Sequence, residues 1–340
     1  MQKRIDYLDL AKAIGIICMV WLHVGTSYAI TDIIVHIFHM PIFFIISGYC
    51  FNTSAGMKKT ISRKIRSLLI PYFFYGILLC IIWTVIYNAI GEPEAIVPVG
   101  DVAEALFNKN AELSPYECIQ WFLTALFFAS ILFCIICTVC KGINNSEWII
   151  MLICLGFGVI GYLMSNASFR LPLSIDCAFM GVFFMGTGYF LRIKNILENK
   201  YVIYSSPILI PVVYLTFIFN KECLWNMRIL DFGNPALYMI GSVGFSMMIL
   251  IISKLICEVL PGRVKSGILF IGRNTIWFLI FNQFYRQVLL LIFDPDEFKI
   301  SNIVIIILIV LLMIPTSMIC NRFLGWTVGK RKRNVGVVEL

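Results

Sequence analysis

Charged residues are scarce in this sequence. Lys, Arg, Asp and Glu make up 14% of its 340 residues, whereas an ordinary soluble domain carries about 25%. A chain this poor in charge cannot cover a water-facing surface of the size that its length requires. Apolar residues make up 60% of the chain, and the long apolar runs have no polar helical face, which excludes a soluble protein with an oversized core. The composition therefore predicts an integral membrane protein.

The sequence is also poor in patterns that bind metal or direct secretion. Cys134, Cys137 and Cys140 recur every third residue, but they lie in an apolar run with no His or acidic residue nearby. Cysteine behaves there as a small hydrophobic residue, so we predict packing and no bound metal. The apolar run from Leu8 to Tyr28 is too long for a signal peptide and lacks a small-residue cleavage site. It is predicted to be the first membrane span.

Apolar runs long enough to cross a bilayer recur along the chain. A membrane helix needs about 20 such residues, and most of the runs are separated by brief segments. The sequence therefore predicts an all-α fold, a polytopic transmembrane helical bundle of about 10 spans in one unit. The predicted spans are residues 8–28, 33–52, 68–90, 117–139, 148–165, 173–191, 201–219, 236–257, 267–293 and 302–324.

The positive charges are unevenly distributed between the two sides of this bundle. Most Lys and Arg residues outside the spans fall in alternate segments, on the side of the N-terminus. Because Lys and Arg favour the cytoplasmic side, both termini are predicted to be cytoplasmic. Residues 326–340 are then a basic cytoplasmic tail that faces anionic lipid, and the net charge of +8 does not indicate a nucleic-acid partner. The segments predicted to lie outside hold only Lys109, Arg170, Lys221, Arg228 and Lys299.

The first span contains two ionisable residues that mark a candidate site, because such residues are costly inside a membrane. Lys12 and His23 are eleven residues apart, close to three helical turns, so they lie on one face about 16 Å apart along the axis. Asp9 precedes Lys12 by three residues and can pair with it. Lys12 is therefore expected at the cytoplasmic mouth and His23 in the outer half of the membrane.

The other two histidines, His36 and His39, lie in the second span. That helix runs in the opposite direction, so His39 is expected at the depth of His23, with His36 nearer the interface as a wetted rim residue. Pro41 frees a backbone carbonyl and is expected to kink the helix beside His39. A single membrane histidine often makes only an interhelical hydrogen bond, but the shared depth and face of this pair favour a functional site.

Polar residues at the outer ends of later spans are candidates for binding a substrate. Two of them, Arg170 and Arg286, could instead be interfacial anchors. Asp176 could instead be the ion-pair partner of one of these two arginines. The acidic segment from Gly91 to Tyr116 is either a solvated loop or a lid over an outer cavity. The candidates are Trp121, Arg170, Asp176, Asn282, Gln283 and Arg286.

Two runs of the sequence, LDLAKAIGIICMVWLHV and FHMPIFFIISGY, resemble the acyltransferase 3 family of bacterial membrane acyltransferases. The Lys12-x10-His23 spacing matches the Arg/Lys-x10-His motif of that family. The stretches RKIRSLLIPYFFYG, QWFLTALFF, LPLSIDCAFMGVFFMGTGY and IGRNTIWFLIFNQF resemble family blocks in the same order, which assigns residues 1–325 to one membrane-embedded domain. The FHMP form is most similar to the fucose 4-O-acetylase branch. In many relatives the last block ends in His, where this chain has Asn282.

The resemblance implies an O-acyltransferase of the bacterial cell membrane that moves acetyl from acetyl-CoA, a co-substrate, to a hydroxyl of a surface glycan or lipid-linked sugar. His23, His39 and Asp9 are the predicted catalytic residues, with His23 as general base or transient acyl carrier. Cations at the inner mouth are expected to hold the phosphates of CoA. No metal cofactor and no particular oligomeric state are predicted. The predicted phosphate-binding residues are Lys12, Arg63, Lys64 and Arg66.

Two functions from other classes compete with this interpretation. One is a transporter in which Lys12, His23 and Asp176 form a relay for protons or substrate. The other is a non-enzymatic subunit that binds or exports a glycan lipid. The histidines cluster on one helical hairpin, and the sequence shows no inverted repeat. Both features favour the enzyme.

Overall fold

The computed structural model describes residues 4–24, 29–107, 120–293 and 302–330. Within these ranges all regular elements are helical, apart from one isolated bridge between Asn226 and Asp231. Ten helical stretches of the described chain are long and apolar enough to cross a membrane. The prediction of an all-α bundle of about ten spans is confirmed.

The helices follow one another along the chain with short connections. They are α1 Asp6–Val24, α2 Ala29–Phe38, α3 Pro41–Tyr49, α4 Met57–Lys64, α5 Ile70–Ile90, α6 Val99–Leu106, α7 Trp121–Val139, α8 Ser146–Ser165, α9 Ile175–Ile193, α10 Lys200–Ser205, α11 Leu209–Phe219, α12 Pro235–Val259, α13 Gly262–Arg273, α14 Thr275–Ile292 and α15 Asn302–Phe323. A π-helical turn, Ile65–Leu69, joins α4 to α5. The remaining turns are 3₁₀ turns at Thr53–Ala55, Pro93–Ala95, Pro172–Ser174, Ile196–Glu198, Ser206–Ile208 and Gly325–Val328.

The second and ninth predicted spans are interrupted. The second stops at Phe38 and resumes at Pro41, the first residue of α3, which confirms the kink expected beside His39. The ninth was predicted as continuous from residue 267, but Asn274 separates α13 from α14, and only Thr275–Ile292 is long and apolar enough to span. Asn274 Nδ2 donates to the carbonyl of Phe270 (2.8 Å), and this polar capping ends the preceding helix.

Close helix crossings hold the first two spans in the centre of the bundle. A Cβ at Gly188 of α9 would lie 1.8 Å from the carbonyl oxygen of Ile45 in α3. A Cβ at Gly272 of α13 would lie 1.7 Å from the carbonyl oxygen of Asp9 in α1. Only glycine permits backbones to approach this closely, as is common where membrane helices pack. The hairpin that carries all three histidines is therefore fixed between other helices, whereas few residues of α8 and α11 are buried.

The two sides of the bundle can be named from contacts between helix ends. On the N-terminal side, the hydroxyls of Tyr7 and Tyr49 are hydrogen-bonded at 3.0 Å. On the opposite side, Arg170 donates to the carbonyl of Arg228 at 2.8 Å. Below, the end of the bundle with Tyr7 and Tyr49 is called the N-terminal side, and the end with Arg170 and Arg228 is called the opposite side. The assignment of the N-terminal side to the cytoplasm stays a prediction.

The acidic outer segment was predicted to be a solvated loop or a lid. Most of its described residues are exposed, but part of it forms helix α6, and the end of that helix packs against the bundle. The helix α6 packs against α5 with Ala105 and Leu106 buried. The Tyr72 hydroxyl donates to the carbonyl of Leu106 at 2.5 Å, about 27 Å from the end of α5 at Ile90 as measured by helical rise. This segment therefore dips back into the bundle before residue 107. The rest of it, residues 108–116, lies outside the described ranges.

The first residues of the predicted C-terminal tail pack against the bundle. Thr327 is buried, and its hydroxyl is 2.8 Å from that of Tyr75. The ammonium of Lys330 donates to the side-chain oxygens of Asn274 (3.0 Å) and Asn321 (2.6 Å). Residues 326–330 therefore continue the folded domain, and residues 331–340 lie outside the described part of the chain.

Candidate active site

A cavity of about 220 Å³ on the opposite side of the bundle is lined by all three histidines. We call it the histidine chamber. His23 comes from the last turn of α1, His36 from α2, and His39 from the break before α3. The rings of His36 and His39 meet edge to face, with centroids 5.2 Å apart. The structure thus brings His23 and His39 to one cavity, as their expected depths required. The other residues that line it are Met19, Leu22, Met40, Gln120, Trp121, Phe122, Asn226, Met227, Arg228, Leu279 and Gln283.

The orientation of His39 is set by the helix break. Its Nδ1 lies 3.0 Å from the carbonyl oxygen of Val35, one turn earlier. A carbonyl can only accept, so Nδ1 must carry a proton, and in the neutral ring Nε2 keeps the lone pair. The side chain is buried. His39 is therefore held with a hydrogen-bond acceptor available to a ligand.

The partner of His23 is Gln283, on α14. The terminal amide of Gln283 is in hydrogen-bond contact with His23 Nδ1. Gln283 is itself buried, at 3% exposure. The predicted substrate residue Gln283 therefore reaches the chamber by contacting the predicted catalytic histidine.

Arg170 and Asp176 were predicted to bind substrate, and the structure corrects this. They form an ion pair at 2.5 Å, Asp176 is fully buried, and neither lines the chamber. Burial lowers the pKa of Arg170 more than any other single cause, but the hydrogen bond to Asp176 and the interactions with Cys177 and the Asp176 charge together outweigh it and raise the pKa overall. Arg170 also donates to the carbonyl of Arg228. The pair therefore holds the segment between α11 and α12, which forms one wall of the chamber.

The predicted substrate residues on α14 separate in the structure. Asn282 turns its amide back to its own helix, donating to the carbonyls of Phe278 (2.8 Å) and Leu279 (2.9 Å). It does not line the chamber, and neither does Arg286, which lies one turn beyond Gln283 on the same helical face. Of the six residues predicted to bind substrate, Trp121 and Gln283 line the chamber.

The wall formed by Asn226, Met227 and Arg228 was missed by the sequence analysis. A signal was present, because Arg228 is one of the few cations on the side that positive residues avoid. The turn-forming residues Asp231, Gly233 and Asn234 that follow it also indicate a structured connection. These features do not reveal that the connection folds over the chamber.

Asp9 was predicted to be catalytic, and the structure places it at the other end of α1. It pairs with Lys12 at 2.5 Å and with Arg273 at 3.0 Å. Its distance from His23 along the helix is about 21 Å, too far for a direct part in chemistry there. The expected pairing with Lys12 is confirmed, and the catalytic role of Asp9 is corrected to that of an ion-pair partner.

A second cavity, the vestibule, opens on the N-terminal side. It is lined by Arg4, Ile5, Leu8, Asp9, Lys12, Tyr49, Cys50 and Arg273. Its three cations, Arg4, Lys12 and Arg273, face one carboxylate among these residues. The vestibule therefore has the charge expected of a site for a polyanion.

The basic residues of α4 and the following π-turn have different positions from those predicted. Arg66 lines a surface groove with Lys58 and Ile61, away from the vestibule, and Arg63 is exposed. Lys64 acts on Cys50, which lines the vestibule. Burial raises the pKa of the Cys50 thiol, and the positive charges of Lys12, Arg192 and Lys64 act to lower that pKa. Of the predicted phosphate-binding residues, Lys12 lines the vestibule, whereas Lys64 does not line it and acts only through its charge on Cys50. Arg63 and Arg66 are not brought to the vestibule.

An apolar cavity of about 170 Å³ lies between these two ends, and we call it the passage. It begins at Lys12, which also lines the vestibule, and continues past Ile16, Phe43 and Leu126. At its far end it shares Met19, Met40, Phe122 and Leu279 with the histidine chamber. Vestibule, passage and chamber therefore follow one another across the bundle, from Lys12 to His23.

Comparison with known families gives one match. A family model described as an acyltransferase domain matches residues 5–322, a range that contains every lining residue of the passage and the chamber. No curated protein and no solved structure matches the chain.

Proposed function

Since this chain belongs to the acyltransferase 3 family, a family of membrane acyltransferase domains, we propose that it transfers acetyl from acetyl-CoA to a hydroxyl of a surface glycan or lipid-linked sugar. The observation that carries the proposal is the succession of vestibule, passage and chamber. It links a cationic site on one side of the bundle to three histidines on the other. Donor and acceptor then enter from opposite sides and meet at His23.

The donor end of the proposal rests on charge and shape. The phosphates of CoA match the vestibule, where Arg4, Lys12 and Arg273 offer charge-assisted hydrogen bonds. The passage is lined mostly by apolar side chains, which suits an extended pantetheine arm. Lys12 and His23 are about 16 Å apart along α1. The thioester would then reach the chamber while the nucleotide stays in the vestibule.

The chemical end of the proposal rests on His23 and Gln283. The amide nitrogen of Gln283 faces Nδ1 of His23, and the amide oxygen has no hydrogen-bond partner among the described residues. A 180° rotation of the amide places the oxygen at Nδ1, where it accepts from Nδ1–H, and Nε2 of His23 then keeps the lone pair that a general base needs. The acceptor hydroxyl loses its proton to His23 and attacks the thioester carbonyl. Collapse of the tetrahedral intermediate breaks the C–S bond and expels the CoA thiolate, which takes the proton from His23 and leaves the ring neutral again. The N–H groups of Trp121 and Asn226, which line the chamber, are candidate donors to the oxyanion.

The proposal extends to orientation and location. The Lys and Arg distribution favours a cytoplasmic N-terminal side, which is where acetyl-CoA is made. The same reasoning favours the bacterial cell membrane and an acceptor presented on the outer face. Within the family, the FHMP form at residues 38–41 supports the fucose 4-O-acetylase branch.

The competing hypothesis is a transporter with a relay of three residues, and one of the three is not in place. Asp176 is fully buried, is paired with Arg170 and lines neither the passage nor the chamber. A relay through Lys12, His23 and Asp176 therefore lacks a continuous path. The family match supports the enzyme.

The test uses purified protein in nanodiscs, radiolabelled acetyl-CoA and a bacterial envelope glycan extract as acceptor. We expect transfer of label into the extract together with release of free CoA thiol. His23→Ala should lower this rate about 100-fold or more, the usual contribution of a general base, while folded protein is recovered in normal amounts. Cys18→Ala, on the same helix and away from the three cavities, is the matched control. Full activity of His23→Ala would exclude the assigned role.

A further inference from the structure

The surface groove that contains Arg66 has a polar row of side chains beside an apolar one. It has a volume of about 380 Å³, and we call it the α4 groove. Lys58, Ser62 and Arg66 follow one another at intervals of four residues, so they lie on one side of α4 and the π-turn, and all three are exposed. The other lining residues are isoleucines. The groove is lined by Lys58, Ile61, Ser62, Ile65, Arg66 and Ile70.

The length of α5 places the polar row at the level of lipid head groups. The helix has 21 residues, from Ile70 to Ile90, and is therefore about 31 Å long, which matches a hydrocarbon core of about 30 Å. Arg66 lies one turn before the start of this span. Near that start, the exposed Trp326 lies against Phe74, with ring centroids 6.2 Å apart. Tryptophan is enriched where the hydrocarbon core meets the head groups.

The apolar row of the groove continues along the membrane face of α5. Exposed apolar residues recur on this helix at intervals of three or four residues, which gives one continuous helical face. Ile70 belongs both to this face and to the groove. A hydrocarbon chain that lies on the face therefore leads from the groove directly into the membrane. The residues of the face are Ile70, Phe74, Ile77, Ile81 and Val85.

The ligand that fits both rows is an anionic phospholipid. Its phosphate can accept charge-assisted hydrogen bonds from a guanidinium and an ammonium, and cations on an amphipathic helix at a membrane surface are typical of sites for anionic lipid. A soluble phosphate ester would use the polar row alone. The sequence after Lys330 begins with the run 331–333, Arg-Lys-Arg, whose charge has the same sign as the groove. Charge therefore favours a lipid over this run as the occupant.

We propose that the α4 groove binds one anionic phospholipid, with the phosphate at Lys58, Ser62 and Arg66 and the acyl chains along α5. Among the described residues, the groove shares none with the vestibule, the passage or the chamber. The site is therefore independent of the proposed acetyl transfer. It also gives a function to Arg66, which the vestibule does not use.

The test identifies the lipids that stay bound to the purified full chain. The protein is placed in nanodiscs with equal amounts of phosphatidylglycerol and phosphatidylcholine that carry the same acyl chains. It is then released for native mass spectrometry, which distinguishes the two lipids by mass. We expect the one-lipid complex to contain phosphatidylglycerol about ten-fold more often than phosphatidylcholine, the usual gain from a charge-assisted contact. Excess glycerol 1-phosphate should not displace the lipid, because it lacks acyl chains.

Two double variants with equal charge assign the preference to the groove. Lys58→Gln with Arg66→Gln removes both cations of the groove and should abolish the preference. Lys59→Gln with Arg63→Gln removes two exposed cations from the same helix outside the groove and should keep it. Thermal unfolding checks that each variant is folded. If the first double variant does not fold, Arg66→Gln alone gives the comparison, with a partial loss expected.

Four results would overturn the proposal. Equal retention of the two lipids by the wild type would show that the groove does not select for charge. Equal loss in the two double variants would show that the general surface charge attracts the lipid. Displacement by glycerol 1-phosphate would indicate a soluble phosphate ligand. A preference that appears only after deletion of residues 331–340 would show that this segment, and not a lipid, occupies the groove.

Discussion

The side-chain amide of Gln283 on α14 contacts Nδ1 of His23 on α1, and so joins the ninth span to the first at the histidine chamber. Both residues line the same cavity. Gln283 therefore fixes the ring of His23 and decides which of its nitrogens holds a proton. Its position corresponds to that of a group which orients a catalytic base.

The first prediction removes this contact. In Gln283→Leu, Nδ1 of His23 loses its partner in a buried site, which costs about 1–3 kcal/mol. We expect kcat to fall about ten-fold or more, with KM for acetyl-CoA little changed because the vestibule is intact. Steady-state kinetics of acetyl transfer measure both constants. Gln287→Leu, one turn further along α14 and outside the chamber lining, is the control. A loss confined to KM would contradict the orienting role.

The second prediction concerns Asp9, which bridges two cations. Asp9→Asn removes the charge that holds Lys12 and Arg273 together, and the two cations then repel each other. We expect destabilisation of about 1–3 kcal/mol, less than for a fully buried pair because both cations are partly exposed. Thermal unfolding in detergent measures this.

The control for Asp9 is Asp6→Asn. Asp6 pairs with Arg273 and Lys265 but is 41% exposed, so its loss should cost less than 1 kcal/mol or so. Equal destabilisation by both variants would show that the burial of Asp9 does not increase the contribution of its ion pairs to stability. The kcat of Asp9→Asn is also informative, since a direct catalytic role predicts the near-complete loss that His23→Ala shows.

Much of the histidine hairpin was predictable from local rules. The depth of His23 and His39 follows from helical rise in two antiparallel spans, and the break before α3 follows from Pro41. The rotation of α14 was not predictable to one residue. Asn282 and Gln283 are neighbours, about 100° apart around the helix, and only packing decides that Gln283 contacts His23 while Asn282 turns to its own backbone.

The Arg228 wall could not be predicted, because it depends on a contact between distant segments. Arg170 lies before α9 and Arg228 lies between α11 and α12, and their link is a side chain donating to a backbone carbonyl. Every residue has a backbone carbonyl, so the identity of a residue does not indicate whether its carbonyl accepts such a hydrogen bond. The same holds for α6, whose return into the bundle is fixed by Tyr72 donating to the carbonyl of Leu106.

The third prediction tests the donor end. Lys12 lines both the vestibule and the passage, so Lys12→Ala should raise KM for acetyl-CoA about ten-fold, the value of one charge-assisted contact. Lys12→Arg should restore most of the affinity, since it keeps a cation at the same place. Lys59→Ala removes an exposed cation of α4 on the same side and should have no effect. If Lys59→Ala raised KM as much as Lys12→Ala, general surface charge would explain the result.

The fourth prediction concerns the size of the acyl group. Met40 is buried and lies where the passage meets the chamber, close to where the thioester of a bound donor would lie. Met40→Ala removes side-chain volume there, so a longer acyl chain gains space. One extra methylene in a pocket changes specificity by about 1–3 kcal/mol, so we expect the ratio of kcat/KM for propionyl-CoA over acetyl-CoA to rise about ten-fold or more. Met313→Ala, an equal truncation at a fully buried site on α15, tests whether a cavity elsewhere has the same effect. A rise in the ratio for both variants, or for neither, would place the acyl group away from Met40.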